Sequence, residues 1–121
     1  MSAPDVRPSR GEIWQVDWSP GRGSEQTGVR PALIIQNNHG NHSPGYPNTI
    51  VAAVSTSGRS IPFHVFVARS PGNGLKADSY VKCEQVVTIS KGRLIGPAWG
   101  RLTDVEMLEV GEALKRSLDL P

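Results

Sequence analysis

In residues 12–18, EIWQVDW, apolar and polar side chains alternate from Trp14 to Trp18. Trp14, Val16 and Trp18 fall on one side and Gln15 and Asp17 on the other, the period-two signature of a half-buried strand. Residues 30–37, RPALIIQN, carry a continuous apolar run, so this second strand reads as covered on both faces. Pro31 near its start fits the placing of proline at strand beginnings. Residues 49–56, TIVAAVST, form a third strand of small and β-branched residues. In 62–68, PFHVFVA, Phe63, Val65 and Val67 share one face and His64 and Phe66 the other. A fifth strand covers 79–87, and a last short one lies near 97–102.

The connections are polar and rich in turn formers. Residues 19–29, SPGRGSEQTGV, hold three glycines and a proline, and 38–48 is a loop of Asn, His, Pro and Gly. Turns fall at 57–61 and 70–77. Residues 1–10 show no periodicity and contain Pro4 and Pro8, so the segment up to residue 9 is expected to be a flexible arm before a domain spanning 10–121.

The final segment switches to helical spacing. Met107, Val110, Leu114 and Leu118 line one face. Thr103 and Glu106 make the T-x-x-E capping box, and Leu102 and Met107 are placed for the hydrophobic staple across it. Asp104 and Glu106 in the first turn, with Lys115 and Arg116 near the last, suit the helix dipole. Five or six short strands without crossover helices, then one helix, predict a mainly β fold: a small antiparallel barrel with a C-terminal helix.

Composition narrows the setting. The chain has 121 residues, enough for one domain. With 37% hydrophobic and 20% charged residues it lies above a disordered composition. Its apolar runs are only a few residues long, far short of the roughly 20 of a membrane span. The first ten residues lack the apolar core of a secretory signal. Cys83 is the single cysteine, which excludes an internal disulfide and a cysteine-built zinc site. A cytoplasmic protein is the expectation.

The formal net charge of +2 conceals an asymmetry. Residues 1–103 carry 11 basic and 6 acidic side chains; residues 104–121 carry 2 basic and 5 acidic. A basic body suggests a polyanionic partner, although a solvated surface has the same composition. The acidic helix would repel phosphate, so it is expected on the side of the barrel away from any such partner.

No phosphate-binding P-loop or dinucleotide fingerprint occurs. His39 and His42 stand three apart without nearby acidic or cysteine ligands, so no metal and no cofactor are called for. The stretch SPGRGSEQTGVRP is more informative. It concentrates Arg22, Glu25, Gln26 and Arg30 among glycines beside rigid strands. Arg30 sits at the loop–strand junction, where a fixed guanidinium can grip a phosphate in a fork of hydrogen bonds. Ser55, Thr56 and Ser57 end the third strand, either as phosphate donors or as ordinary turn residues.

The stretches RGEIWQVDW, GSEQTGVRPALII, NTIVAAVSTS, PFHV and KCEQVVTISKGRL, followed by GRLTDVEM and a terminal helix, resemble the MazF/PemK (Kid) toxins of bacterial toxin–antitoxin pairs. The similarity runs from about Arg10 to Leu120. It implies a Src-homology-3-like barrel of the PemK/CcdB type that forms a homodimer. It also implies a metal-independent endoribonuclease that cuts single-stranded RNA, usually mRNA, at short motifs and is neutralised by a cognate acidic MazE-like antitoxin.

The family's catalytic arginine precedes proline, here Arg30. Its catalytic threonine falls on Ser55, a departure that leaves the hydroxyl role to Ser55 or to the adjacent Thr56. Glu25 and Gln26 match the loop that closes over RNA; Glu25 is the candidate base and His64 a reserve. Arg22, Trp18, Tyr46 and His64 complete the expected RNA contacts, with Trp18 and Tyr46 as stacking residues and Trp14 as core. The competing expectations are a non-catalytic barrel toxin, or an RNA-binding regulator whose nuclease activity lapsed with the change at position 55.

Overall fold

The computed structural model describes residues 6–19 and 28–121. Its elements run β1 (Glu12–Asp17), β2 (Val29–Ile34), α1 (Asn38–His42), β3 (Asn48–Ser55), β4 (His64–Val67), β5 (Ser79–Ser90), a 3-10 turn (Lys91–Arg93), β6 (Leu94–Arg101) and α2 (Asp104–Ser117). The six strands form one antiparallel sheet in the order β4-β5-β3-β2-β1-β6. Its two edges are drawn together by the turn after β4: Arg101 N donates to Gly72 O at 2.9 Å. The contact is close enough that a Cβ on Gly100 would stand 2.3 Å from Gly72 O.

Two apolar clusters lie on opposite faces of the sheet. Ile13, Leu33, Ile35, Ala52, Val54, Val65, Val67, Val81 and Cys83 pack beneath α2, which adds Val110 and Ala113. Trp14, Val16, Ala32, Ile34, Val51, Ile89 and Leu94 form the second. β2 is covered on both sides, as its unbroken apolar run predicts. β1 differs from the half-buried reading, because Ile13, next to the Trp14 face, is fully buried under the helix.

β5 is longer than expected and reaches Ser90. Ala52 pairs with Val86 but Ala53 with Lys82, so Cys83, Glu84 and Gln85 bulge from the β3 ladder. The bulge reverses the face parity. Val81 and Cys83 look toward α2 before it, and Ile89 toward the second cluster after it. β6 also starts earlier than expected, at Leu94, which packs in that second cluster.

The 38–48 loop contains the five-residue α1. Asn37 caps it by accepting from Gly40 N at 2.9 Å. The segment is pinned from behind. Asn41 is buried and bonds Gln36 and Thr49, and Lys91 Nζ donates to Gly40 O and Ser43 O. The end of the expected arm is packed too. Pro8 is fully buried, Ser9 Oγ lies 2.9 Å from His42 Nε2, and Arg10 donates to the Ile35 carbonyl.

α2 carries the predicted capping box in both directions: Glu106 N donates to Thr103 Oγ1 at 3.1 Å, and Thr103 N to Glu106 Oε1 at 2.9 Å. Met107, Val110 and Leu114 face the core as expected, but Leu118 is 54% exposed. It is the C-cap, where the backbone leaves the helix and helical spacing ceases to set its direction.

Leu33→Ala should lower unfolding free energy by about 2–5 kcal/mol, because the surrounding sheet cannot collapse onto the void. Leu108→Ala on the solvent face of α2 should stay within about 0.5 kcal/mol. Urea titration with an unchanged m-value checks both.

Burial, followed by the negative charge of Glu84, pushes the Cys83 thiol from 9.0 up to about 11. Native protein at pH 8 should therefore form thiolate about 100-fold less than an ordinary cysteine, read as slow labelling that becomes fast in urea. The stabilisation from holding the proton is full below pH 9 and lost as pH rises through about 11.

Candidate active site

Strand register brings two of the sequence-predicted residues, Arg30 and Ser55, to one row. Val16 pairs with Arg30, Ser55 with Tyr80, and Tyr80 with Phe66. β2 and β3 pair Ala32 with Ala53 and Leu33 with Ala52; continued by two residues, that register sets Arg30 level with Ser55. Laterally adjacent residues of a sheet point to the same side. The row Phe66–Tyr80–Ser55–Arg30–Val16 thus lies on the face that carries Trp14, Ala32 and Val51, opposite α2. The acidic helix is therefore on the far face from Arg30, as expected.

Arg30 is exposed on a strand whose backbone is held in place. Trp18 Nε1 donates to the Arg30 carbonyl at 3.3 Å, and Trp18 N donates to Gly28 O at 2.8 Å. Trp18 itself is half-buried against the second cluster, so the structure makes it a support for the Arg30 strand. Gly28, at φ +71°, takes the left-handed turn that leads into β2. Its N–H donates to Ser19 Oγ at 3.3 Å. Arg93 adds a second clamp, its Nη1 donating to Asp17 O at 3.0 Å and Ser19 O at 2.6 Å. Both ends of the 20–27 segment are thereby fixed, while Arg22, Glu25 and Gln26 lie outside the described residues.

Ser55 closes β3 with its hydroxyl oriented, since Oγ accepts from Ser57 N at 3.1 Å and leaves its proton to donate outward. Thr56 follows at a bend beyond the strand and is exposed. His64, at the start of β4, has both ring nitrogens engaged. Arg59 N donates to Nδ1 at 3.1 Å, and Nε2 lies 2.7 Å from Glu84 Oε2. Because Nδ1 accepts, the neutral ring carries its proton on Nε2 and gives it to Glu84. A ring so occupied offers no lone pair for proton abstraction; it orders the 59–64 turn instead. Tyr46 is exposed but sits before β3, at the end of that strand remote from Ser55, roughly 23 Å away along it. The structure does not bring it to the row.

Two contributors escaped the sequence reading. Arg93 and Glu84 act through partners 74 and 20 residues away, a separation that leaves no local signal. Phe66 and Tyr80 were partly visible, since alternation already turned Phe66 outward with His64. Among the described residues, Arg30, Lys82 and Arg59 border this face, and Glu84 there is paired with His64.

Residues 9–118 match the model of the PemK-like, MazF-like toxin of type II toxin–antitoxin systems. The chain is 37% identical over 115 residues to endoribonuclease MazF9 of Mycobacterium tuberculosis, covering 92% of this chain and 96% of that protein. It is 41% identical over 113 residues to endoribonuclease MazF of Staphylococcus saprophyticus, covering 92% and 91%. Among solved structures, a mycobacterial endoribonuclease in complex with its cognate antitoxin superposes with a TM-score of 0.73 at 29% identity, covering 94% of this chain and 97% of that one. Mycobacterium tuberculosis toxin MazF-mt6 gives 0.75 at 26% identity, covering 91% and 98%. With the family model spanning nearly the whole chain and the sheet and terminal helix reproduced in its solved relatives, this protein belongs to the PemK-like, MazF-like toxins of type II toxin–antitoxin systems.

Proposed function

We propose that this chain is a metal-independent endoribonuclease that cleaves single-stranded RNA, mRNA above all, at short sequence motifs. The observation that carries the reading is the Arg30–Ser55 juxtaposition, a guanidinium and a hydroxyl level on neighbouring strands of an open cationic face. Relatives 37% and 41% identical bear the name endoribonuclease. A cognate acidic antitoxin and a second copy of the chain are the partners in this reading, and the cytoplasm its compartment; one similar structure is of an endoribonuclease held by its antitoxin.

RNA supplies its own nucleophile. The ribose 2′-oxygen attacks the adjacent phosphorus and loses its proton; the bond from phosphorus to the 5′-oxygen breaks, and that oxygen gains a proton. The products are a 2′,3′-cyclic phosphate and a 5′-hydroxyl. Negative charge grows on the non-bridging oxygens as the fifth bond forms, and the Arg30 guanidinium is suited to meet it. Ser55 donates to the same oxygens. Glu25 is the base in this scheme, a carboxylate being able to take the 2′ proton where a guanidinium is not. Gln26 and Arg22 join it in holding RNA from the 20–27 segment.

Purified protein should cut a long single-stranded RNA in EDTA and leave 5′-hydroxyl ends, read by kinase labelling without prior phosphatase. Arg30→Ala should lose at least the 10²–10³-fold typical of a removed transition-state donor, with circular dichroism unchanged. Ser55→Ala should fall in the same direction, and Thr56→Ala should remain within a few-fold of the parent. Undiminished cutting by Arg30→Ala would remove it from the mechanism, and RNA capture without any cutting would favour the regulator.

A further inference from the structure

The row continues past Ser55 into two aromatic side chains that the catalytic scheme leaves unused. We propose that Phe66 and Tyr80, with the Arg59–Ser60 backbone and the His64–Glu84 pair behind it, form a nucleobase pocket that seats one base of the RNA beside the scissile phosphate and contributes to the choice of cleavage site. This rests on the endoribonuclease reading.

Phe66 is 53% exposed on an edge strand, an arrangement that forgoes the burial a phenylalanine ordinarily gains. Its ring meets Tyr80 edge-on, with centroids 5.6 Å apart and planes at 69°. Tyr80 is covered from the other direction by Gly58, where a Cβ would fall 2.3 Å from Tyr80 Cγ. Tyr80 is thus a buttress, and Phe66 keeps the open surface. Together with Arg59, Ser60, Ile61, Pro62 and His64 these rings line a concavity of about 380 Å³. An apolar floor with a few polar groups at its rim is the usual make-up of a small-ligand site.

The polar rim is positioned. Glu84 fixes the His64 ring at 2.7 Å, and the ring's Nδ1 holds Arg59 N at 3.1 Å, so the turn cannot swing across Phe66 without breaking that chain. Placement favours a base over an apolar peptide. Tyr80 is the direct cross-strand partner of Ser55, and Phe66 of Tyr80, which puts the pocket roughly 10 Å from the catalytic hydroxyl on the same face; on its other side Phe66 borders a concavity that α2 lines with Val105, Leu108, Glu109 and Glu112. A short splayed stretch of single strand spans that gap, and unstacked bases are held on aromatic faces in this manner.

The test uses the full-length protein, a mixed-sequence single-stranded RNA to map cut sites, and the best-cut site as a short oligonucleotide. Phe66→Ala should raise KM about 5- to 150-fold with kcat little changed, and Phe66→Trp should restore it. Melting temperature should fall by no more than a few degrees, because the ring is half exposed and its contact with Tyr80 is the main one lost. The oligonucleotide is then made with each base in turn removed to leave an abasic ribose. One position should weaken the parent protein by that same factor and leave Phe66→Ala unaffected. If Phe66→Ala cuts with the parent KM and site profile, or if every abasic position weakens both proteins alike, the pocket is overturned while the nuclease reading stands. Failure of the parent protein to cut RNA at all overturns both.

Discussion

The structure depends on the double burial of β2 and β3. Leu33 and Ala52 face the helix side, while Ala32, Ile34 and Val51 face the other cluster. A slip of one residue between these strands would drive each set into the wrong core, so the register is strongly specified. Arg30 and Ser55 sit at the open end of the same two strands. Their level placement is inherited from packing that neither residue takes part in. The precision of that placement therefore comes from the least exposed part of the molecule, as the positioning of functional groups on rigid elements requires.

The bulge in β5 is the second device. Without it a twelve-residue strand would present one parity throughout and could not feed both clusters. The three residues it leaves off the ladder include Glu84, whose carboxylate reaches His64 on β4. One irregularity thus bends the sheet and releases an acid to brace the neighbouring turn. At the opposite margin of the face, Arg93 and Trp18 hold the carbonyls of residues 17, 19 and 30. Arg30 and Ser55 thus lie between two braced loop entries.

Much of this was legible in the chain. Alternation located β1 and β4 and turned Phe63, Val65 and Val67 inward. The capping box at Thr103 and Glu106 began the helix where it begins, and the G-x-RP junction singled out Arg30. What failed did so for physical reasons. Ile13 breaks the alternation beside Trp14, and a single adjacent apolar pair is too little to announce the second layer that buries it. The α1 turn is a polar string whose stability comes from Lys91 and Thr49, distant residues that no local propensity reports. Leu118 obeys helical spacing, but the helix ends one residue too soon. The long reach of β5 was hidden by the bulge, which scrambles the periodicity by which a strand is recognised.

Gly58 lies so close to the Tyr80 ring that no side chain fits there, yet its neighbours Ser57, Arg59 and Ser60 are exposed. The backbone of this turn is held at Ser57, Gly58 and Arg59, while the side chains of Ser57, Arg59 and Ser60 are free of the core. Replacements at those flanking positions alter the rim of the concavity without disturbing either apolar cluster. Variation there is therefore decoupled from the packing that fixes the register of β2 and β3.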